Sequence, residues 1–186
     1  MIRWIPFLLL TYVLVLVQTT VGRILTMEQF SVGPFGPDLL IPLAVFVAFY
    51  AKDVYDAMLC GWVIGIFIDL TTAGGGGAPT RVGPMAIILA LAMWVTFNAR
   101  DWLYREKVLP QFIVGGLLCF TTHFLWCVVQ IFFASRGWGL LGSLCIQVLL
   151  SSLYTALLTP PAFMLLWLCR KWLFAMSTSS RSRRNR

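Results

Sequence analysis

The sequence has little charge, few acidic residues and one histidine. Of its 186 residues, 11% are charged and only 7 are acidic, whereas soluble domains have about 25% charged residues. So few charges do not cover the surface of a water-soluble globule. The lone His123 and the scattered acids and cysteines also exclude a recognisable zinc set and a cluster of acidic metal ligands. The connections between apolar runs are short, which leaves no room for a separate aqueous catalytic domain.

Apolar runs make up most of the chain instead. It is 60% hydrophobic with a mean hydropathy of +0.87, and runs long enough to cross a bilayer recur along it. They predict an all-α integral membrane protein with six transmembrane helices at residues 4–22, 37–51, 57–72, 83–98, 108–134 and 140–174. The last run is much longer than a ~30 Å hydrocarbon core, and Pro160 and Pro161 predict a kink or a division into two pieces. Residues 23–36 and the glycine-rich stretch 73–82 are predicted loops.

Lysine and arginine are divided unequally between the two ends of these helices. With six crossings and the N-terminus inside, the outer loops hold only three of the 14 basic residues, Arg23, Arg81 and Arg136. Because basic residues are retained in the cytoplasm, we expect both termini there. Residues 1–176 would form the transmembrane domain. Residues 177–186 would form a disordered basic tail that contacts anionic lipid rather than nucleic acid.

Small residues recur every four positions on the third predicted helix. Ala57, Gly61 and Gly65, here called the small-residue stripe, are followed by Asp69. This spacing is typical of membrane helices that approach backbone to backbone, so a helix of the same chain or of a partner is expected there. A carboxylate within a spanning segment costs roughly 2.5–3.5 kcal/mol unless it finds water or a partner. We therefore expect Asp69 at the outer end of its helix, capping the glycine-rich loop or pairing with Arg81.

No catalytic set emerges from the remaining polar residues. His123 lies midway along the fifth predicted helix, where an interior hydrogen bond to a neighbouring helix is expected. Ser143, Ser151 and Ser152 are not in a glycine motif of the kind that presents a nucleophile. The glycines at 74–77 are not followed by the Gly-Lys-Ser/Thr of a phosphate-binding loop. We therefore expect neither enzymatic activity nor a cofactor or metal.

The order of the motifs is more informative than any one residue. A Pro37-Asp38 pair opens the second predicted helix, a polar turn follows, and Gly61-Trp-Val-Ile-Gly65-Ile-Phe-Ile-Asp69-Leu70 precedes a glycine-containing outer loop. This order resembles the bacterial rod shape-determining MreD family, as do the chain length, the six-helix topology and the basic pair that closes the last helix. The sequence departs from the family after the outer loop, where Val82-Gly83 replaces the usual Leu-Gly pair.

The resemblance implies a non-enzymatic scaffold subunit of the cell-wall elongation complex in the bacterial inner membrane. Its partners would be the bitopic protein MreC, the actin-like MreB, a RodA-type glycosyltransferase and a class B penicillin-binding protein. The small-residue stripe would contact the spanning helix of MreC, while Pro37, Asp38 and Asp69 would organise the outer end.

Two other functions follow less directly from the sequence. The family has been likened in fold to the substrate-binding subunits of energy-coupling-factor transporters. The alternative function is therefore a transporter subunit that binds a vitamin-like small molecule. Such a subunit needs a polar pocket, whereas the polar residues within the predicted helices are spread over three of them. An intramembrane hydrolase or transferase ranks last, because no nucleophile and base are paired.

Overall fold

The computed structural model describes residues 2–20, 24, 26–29, 33–72, 83–100, 108–134 and 141–174. Most of this part of the chain is helical. Two three-residue strands, β1 (Met27–Gln29) and β2 (Gly33–Phe35), pair antiparallel within the stretch predicted to be a loop. The helices are α1 (Trp4–Thr20), α2 (Leu40–Tyr50), α3 (Val54–Thr72), α4 (Pro84–Ala99), α5 (Val108–Ala134) and α6 (Leu141–Leu173).

Three helices in the described ranges are long and apolar enough to cross a membrane. They are the segments Val54–Thr71 of α3, Leu109–Val129 of α5 and Gly142–Leu173 of α6. The other three helices are apolar but shorter, and α2 has only 11 residues. At about 1.5 Å per residue, α2 spans roughly half of a ~30 Å hydrocarbon core. The prediction of a membrane-embedded helical protein is therefore confirmed, and three of the six predicted crossings have the required length.

The short helix α2 lies at the centre of the fold. Every residue from Leu40 to Phe49 is buried, and α2 contacts each of the other five helices. Phe46 and Phe49 pack edge-on against Phe163 of α6, with ring centroids 5.4 and 6.1 Å apart. A helix that is apolar on every face must be covered on all sides, by lipid or by other elements of the protein. The remaining helices provide that cover.

Both ends of the described chain meet at one end of the bundle. Ile2 and Phe174 form an antiparallel bridge, and the Arg3 amide donates to the Leu173 carbonyl oxygen at 2.9 Å. The end of α2 lies at the same place, because the rings of Tyr50 and Phe174 are 6.4 Å apart. We call this the terminal end of the bundle.

The predicted helix bounds agree with the structure at α5 and differ elsewhere by a few residues. The second helix begins at Leu40 rather than Pro37, and the amides of Asp38 and Leu39 before it donate to side chains of other helices. The third begins at Val54 rather than residue 57, which places Asp56 in its first turn. An acid there is favoured by the helix dipole.

Of the two outcomes predicted for the last helix, a kink or a division into two pieces, the division was wrong. α6 is continuous from Leu141 to Leu173 with Pro160 and Pro161 inside it. Each proline removes one backbone hydrogen bond. Membrane helices tolerate this loss where neighbouring helices and hydroxyl side chains satisfy the backbone. The carbonyl oxygens that Pro160 and Pro161 leave without a helical partner are those of Ala156 and Leu157. Directly before the prolines, the buried Thr159 packs against Gly115 of α5, and its hydroxyl donates to the Thr155 carbonyl oxygen at 2.8 Å.

Candidate functional site

The small-residue stripe on α3 packs against α4 of the same chain. A Cβ atom added to Gly65 would lie 2.7 Å from the backbone nitrogen of Ala86, and one added to Gly61 would lie 3.0 Å from the carbonyl oxygen of Leu89. Ala57, one turn earlier, is fully buried. Backbone atoms cannot move aside as side chains do, so only small residues fit at the stripe. Since α4 occupies this surface, a partner helix would have to bind elsewhere.

Asp69 caps the first turn of α4 from the neighbouring helix. Its Oδ2 atom accepts a hydrogen bond of 2.8 Å from the Gly83 amide, and the carboxylate also faces the amides of Met85 and Ala86. The first amides of a helix have no partner within the helix, and its N-terminus is positive, so a carboxylate stabilises both. Gly83 has φ +127°, a conformation that favours glycine. Arg81, the other expected partner of Asp69, lies outside the described residues.

Asp38 performs a similar role at the start of α2. Its Oδ1 atom accepts a hydrogen bond of 3.0 Å from the Leu40 amide, and its own amide donates to Thr155 Oγ1 of α6 at 3.0 Å. Both Asp38 and Thr155 are buried. A short polar side chain before a helix that binds one of its first amides is the usual N-terminal cap. Asp38 therefore caps the N-terminus of α2, and its amide holds that end of the helix against α6.

Gln18 of α1 fixes the same segment from the opposite side. Its Nε2 atom donates to the Pro37 carbonyl oxygen at 3.0 Å, and its Oε1 atom accepts from the Leu39 amide at 2.8 Å. The amide side chain thus satisfies one backbone acceptor and one donor on the two residues that flank Asp38. Pro37 itself is buried. Backbone groups that enter a membrane interior need such partners, because no water is present to replace them.

His123 lies opposite the second oxygen of Asp38. The distance from His123 Nε2 to Asp38 Oδ2 is 3.7 Å, too long for a hydrogen bond but short enough for an ion pair when the imidazole is protonated. Their side chains are 27% and 10% exposed. The partner is thus a carboxylate that precedes α2, instead of the group on a neighbouring helix that the sequence predicted. One turn earlier on α5, the buried Cys119 is hydrogen-bonded to the Thr155 side chain.

These contacts bring polar groups from three helices and from the segment before α2 to one place. We call Gln18, Asp38, Cys119, His123 and Thr155 the Asp38 cluster. Within the described ranges, no group of three or more His, Cys, Asp and Glu side chains is arranged to hold a metal ion. Most polar atoms of the cluster bind another group of the protein. The contacts of the Asp38 cluster therefore hold α1, α5 and α6 to the N-terminal end of the central helix α2.

Sequence reasoning did not identify Gln18 or Thr155. Gln18 was visible as an amide side chain near the end of a long apolar run, a place where a polar group needs a partner. Thr155 gave no signal, because threonine commonly binds the carbonyl oxygen of its own helix. Its contact with Asp38 spans 117 positions.

An apolar groove lies on the outside of the bundle between α5 and α6. It has a volume of about 410 Å³. Gly116 lies in the groove, and a Cβ atom there would be 2.9 Å from the Cβ atom of Ala156. Small residues thus bring the two helices close together, while larger side chains line the rest of the groove, among them Ile113, Leu117, Leu149 and Leu153.

Compared with models of protein families, with curated proteins and with solved structures, the chain matches none.

Proposed function

We propose that this chain is a non-enzymatic scaffold subunit of the bacterial cell-wall elongation complex, embedded in the inner membrane. One observation supports this most strongly: four of the motif residues that resemble the MreD family cap a helix or bring two helices together. Asp38 caps α2 and Asp69 caps α4. Gly61 and Gly65 make room for α4. Carboxylates that cap helices stabilise the fold, as expected of a scaffold protein that presents a fixed surface to its partners.

The proposed topology has six crossings with both termini in the cytoplasm. The meeting of Ile2 and Phe174 at the terminal end supports an even number of passes. The described basic residues at that end include Arg3, Arg170 and Lys171, in agreement with retention of basic residues inside. The short helices α1, α2 and α4 would complete the six passes together with the segments that connect them.

The proposed partners are MreC, MreB, a RodA-type glycosyltransferase and a class B penicillin-binding protein. MreC has a single spanning helix, and the small-residue stripe is not available to it because α4 covers that surface. An apolar face on the outside of the bundle remains available to MreC. The groove between α5 and α6 has large exposed side chains beside close-packed small ones, which is a surface that a helix can fill.

Affinity capture of MreC by the tagged chain tests this proposal. We expect capture by the wild type, and a several-fold loss with Leu153→Trp, because the larger side chain blocks the groove without adding a charge. Ile87→Trp is the matched control, since Ile87 is also exposed but lies on α4, which does not line the groove. Capture should be unchanged in that variant. Equal capture by all three proteins would place MreC on another face, and no capture by the wild type would refute the partnership.

The alternative function is a small-molecule-binding subunit of a transporter. The Asp38 cluster favours it, because polar groups from three helices and from the segment before α2 meet within the bundle. Under this alternative, the purified protein would contain a stoichiometric small molecule that Asp38→Asn reduces. Mass spectrometry of a denatured extract distinguishes the two functions, since the scaffold needs no such ligand.

A further inference from the structure

We propose that the paired chain ends form a binding site for the headgroup of an anionic phospholipid. The site consists of Arg3, Arg170 and Lys171, which we call the basic seam. Its ligand would be a lipid phosphodiester. This inference rests on the membrane embedding in the proposed function, but not on MreC or on any other protein partner. It also differs from the expected lipid contact of the tail, because the basic seam belongs to the packed bundle.

The backbone of the basic seam is fixed by its neighbours. The Arg3 amide donates to Leu173, and Ile2 pairs with Phe174, so Arg3 lies beside the last turn of α6. Ile2 and Leu173 are buried, which makes this pairing part of the core. The backbone positions of three basic residues from opposite ends of the sequence are thereby brought together. Basic residues on a fixed backbone bind a ligand at a smaller entropic cost than those on a segment that must first be ordered.

The side chains of the basic seam differ in how they are held. The Arg170 guanidinium lies over the Tyr50 ring, 4.6 Å from its centroid, which fixes one cation by a cation–π contact. Arg3 and Lys171 are exposed. One cation is therefore positioned by the protein, while two are available to a ligand.

In the sequence, no acidic residue lies near Arg3, Arg170 or Lys171. The first acidic residue of the chain is Glu28 and the last is Glu106, so α1 and α6 contain none. In the described part of the protein, no carboxylate forms an ion pair with Arg3, Arg170 or Lys171. The dipole of α6 accounts for the two cations in its last turn. Arg3 precedes the positive end of α1, where the dipole disfavours a cation, so helix capping does not account for its position.

The surroundings of the basic seam favour a lipid over free phosphate. Trp4 and Trp172 flank it and are 39% and 72% exposed, and tryptophan is enriched at the level of lipid headgroups. Toward the middle of the bundle, the exposed Ile5 and Leu168 continue the same surface along α1 and α6. A headgroup at the basic seam would place its acyl chains along these apolar side chains. Inorganic phosphate would gain none of that contact.

Native mass spectrometry of the full-length protein in detergent tests this site. Phosphatidylglycerol and phosphatidylcholine are titrated separately onto the wild type and onto the double variant Arg3→Gln/Lys171→Gln. We expect the double variant to bind phosphatidylglycerol at least about tenfold more weakly, since each basic residue near anionic lipid contributes about a fivefold gain in affinity. Binding of phosphatidylcholine should not change. The charge-conserving variant Arg3→Lys/Lys171→Arg should retain the wild-type affinity.

The matched control removes two charges from the tail, Arg183→Gln/Arg184→Gln, and should lose clearly less affinity for phosphatidylglycerol than the double variant of the basic seam, because the seam residues are held by a packed backbone. The site is refuted if the double variant binds normally, or if the tail control loses as much affinity. Displacement of phosphatidylglycerol by inorganic phosphate would also refute the assignment to lipid. If the double variant does not fold, Lys171→Gln alone should still weaken binding about fivefold. Loss of MreC capture with lipid selectivity retained would refute the scaffold function and leave this site intact.

Discussion

Replacing Gly65 with leucine is expected to separate α3 from α4 and to lower the thermal midpoint of the purified protein more than any other single change on α3. A Cβ atom at Gly65 would lie 2.7 Å from the Ala86 nitrogen and 2.8 Å from the Met85 carbonyl oxygen. These are backbone atoms of a neighbouring helix, so the clash is relieved only when the two helices move apart. Overpacking of a core typically costs about 1–3 kcal/mol, and occasionally more.

A series of substitutions at Gly65 separates this steric effect from helix propensity. Gly65→Ala adds the one atom that clashes, although alanine favours a helix over glycine by roughly 0.5–1 kcal/mol. We therefore expect Gly65→Ala to destabilise and Gly65→Leu to destabilise further. Gly142→Ala on α6 is the matched control, because nothing lies within 4 Å of a Cβ atom there. It should leave the midpoint unchanged or raise it. A wild-type midpoint for Gly65→Leu would show that α3 and α4 do not pack as described.

The second large effect is expected at the pair formed by Asp38 and His123. His123→Ala removes the group that faces Asp38 Oδ2 at 3.7 Å, so that the buried Asp38 side chain loses its polar neighbour. A buried polar group that is left without a partner typically costs about 1–3 kcal/mol. Asp38→Asn removes the charge but keeps an oxygen that can accept from the Leu40 amide. We expect it to cost less than His123→Ala.

The double variant Asp38→Asn/His123→Ala measures the pair itself. Because it leaves no unpaired charge, its loss of unfolding free energy in detergent should be smaller than the sum of the two single losses. Residues in contact typically show coupling of about 0.5–3 kcal/mol. Thr121→Ala serves as a control on the same helix, since the Thr121 hydroxyl binds only carbonyl oxygens of its own helix among the bonds described. Additive losses would mean that the two side chains do not interact.

The sequence predicted local features better than it predicted contacts between distant segments. Spacing of small residues indicated a close helix contact at Gly61 and Gly65, and the insertion cost of a carboxylate placed Asp69 near the glycine-rich loop. Both inferences use only the properties of one helix. The bounds of α5 were also predictable, because a long apolar run between polar turns defines them.

The Asp38 cluster could not be predicted, because it depends on how helices distant in sequence are aligned. The Asp38 amide reaches Thr155 across 117 positions, and nothing in either segment specifies that alignment. The role of α2 was missed for a related reason. An apolar run gives the same signal whether it faces lipid or is covered by five helices. The continuity of α6 through Pro160 and Pro161 likewise depends on its packing against α5.

Labelling of single cysteines on intact cells tests the topology on which the proposed function depends. The five native cysteines are replaced, and one cysteine is introduced either in the glycine-rich connection, Gly76→Cys, or in the tail, Ser179→Cys. An impermeant maleimide should label Gly76→Cys from outside, and Ser179→Cys only after the inner membrane is permeabilised. Labelling of Ser179→Cys in intact cells would place the basic tail outside and contradict an even number of crossings with both termini in the cytoplasm.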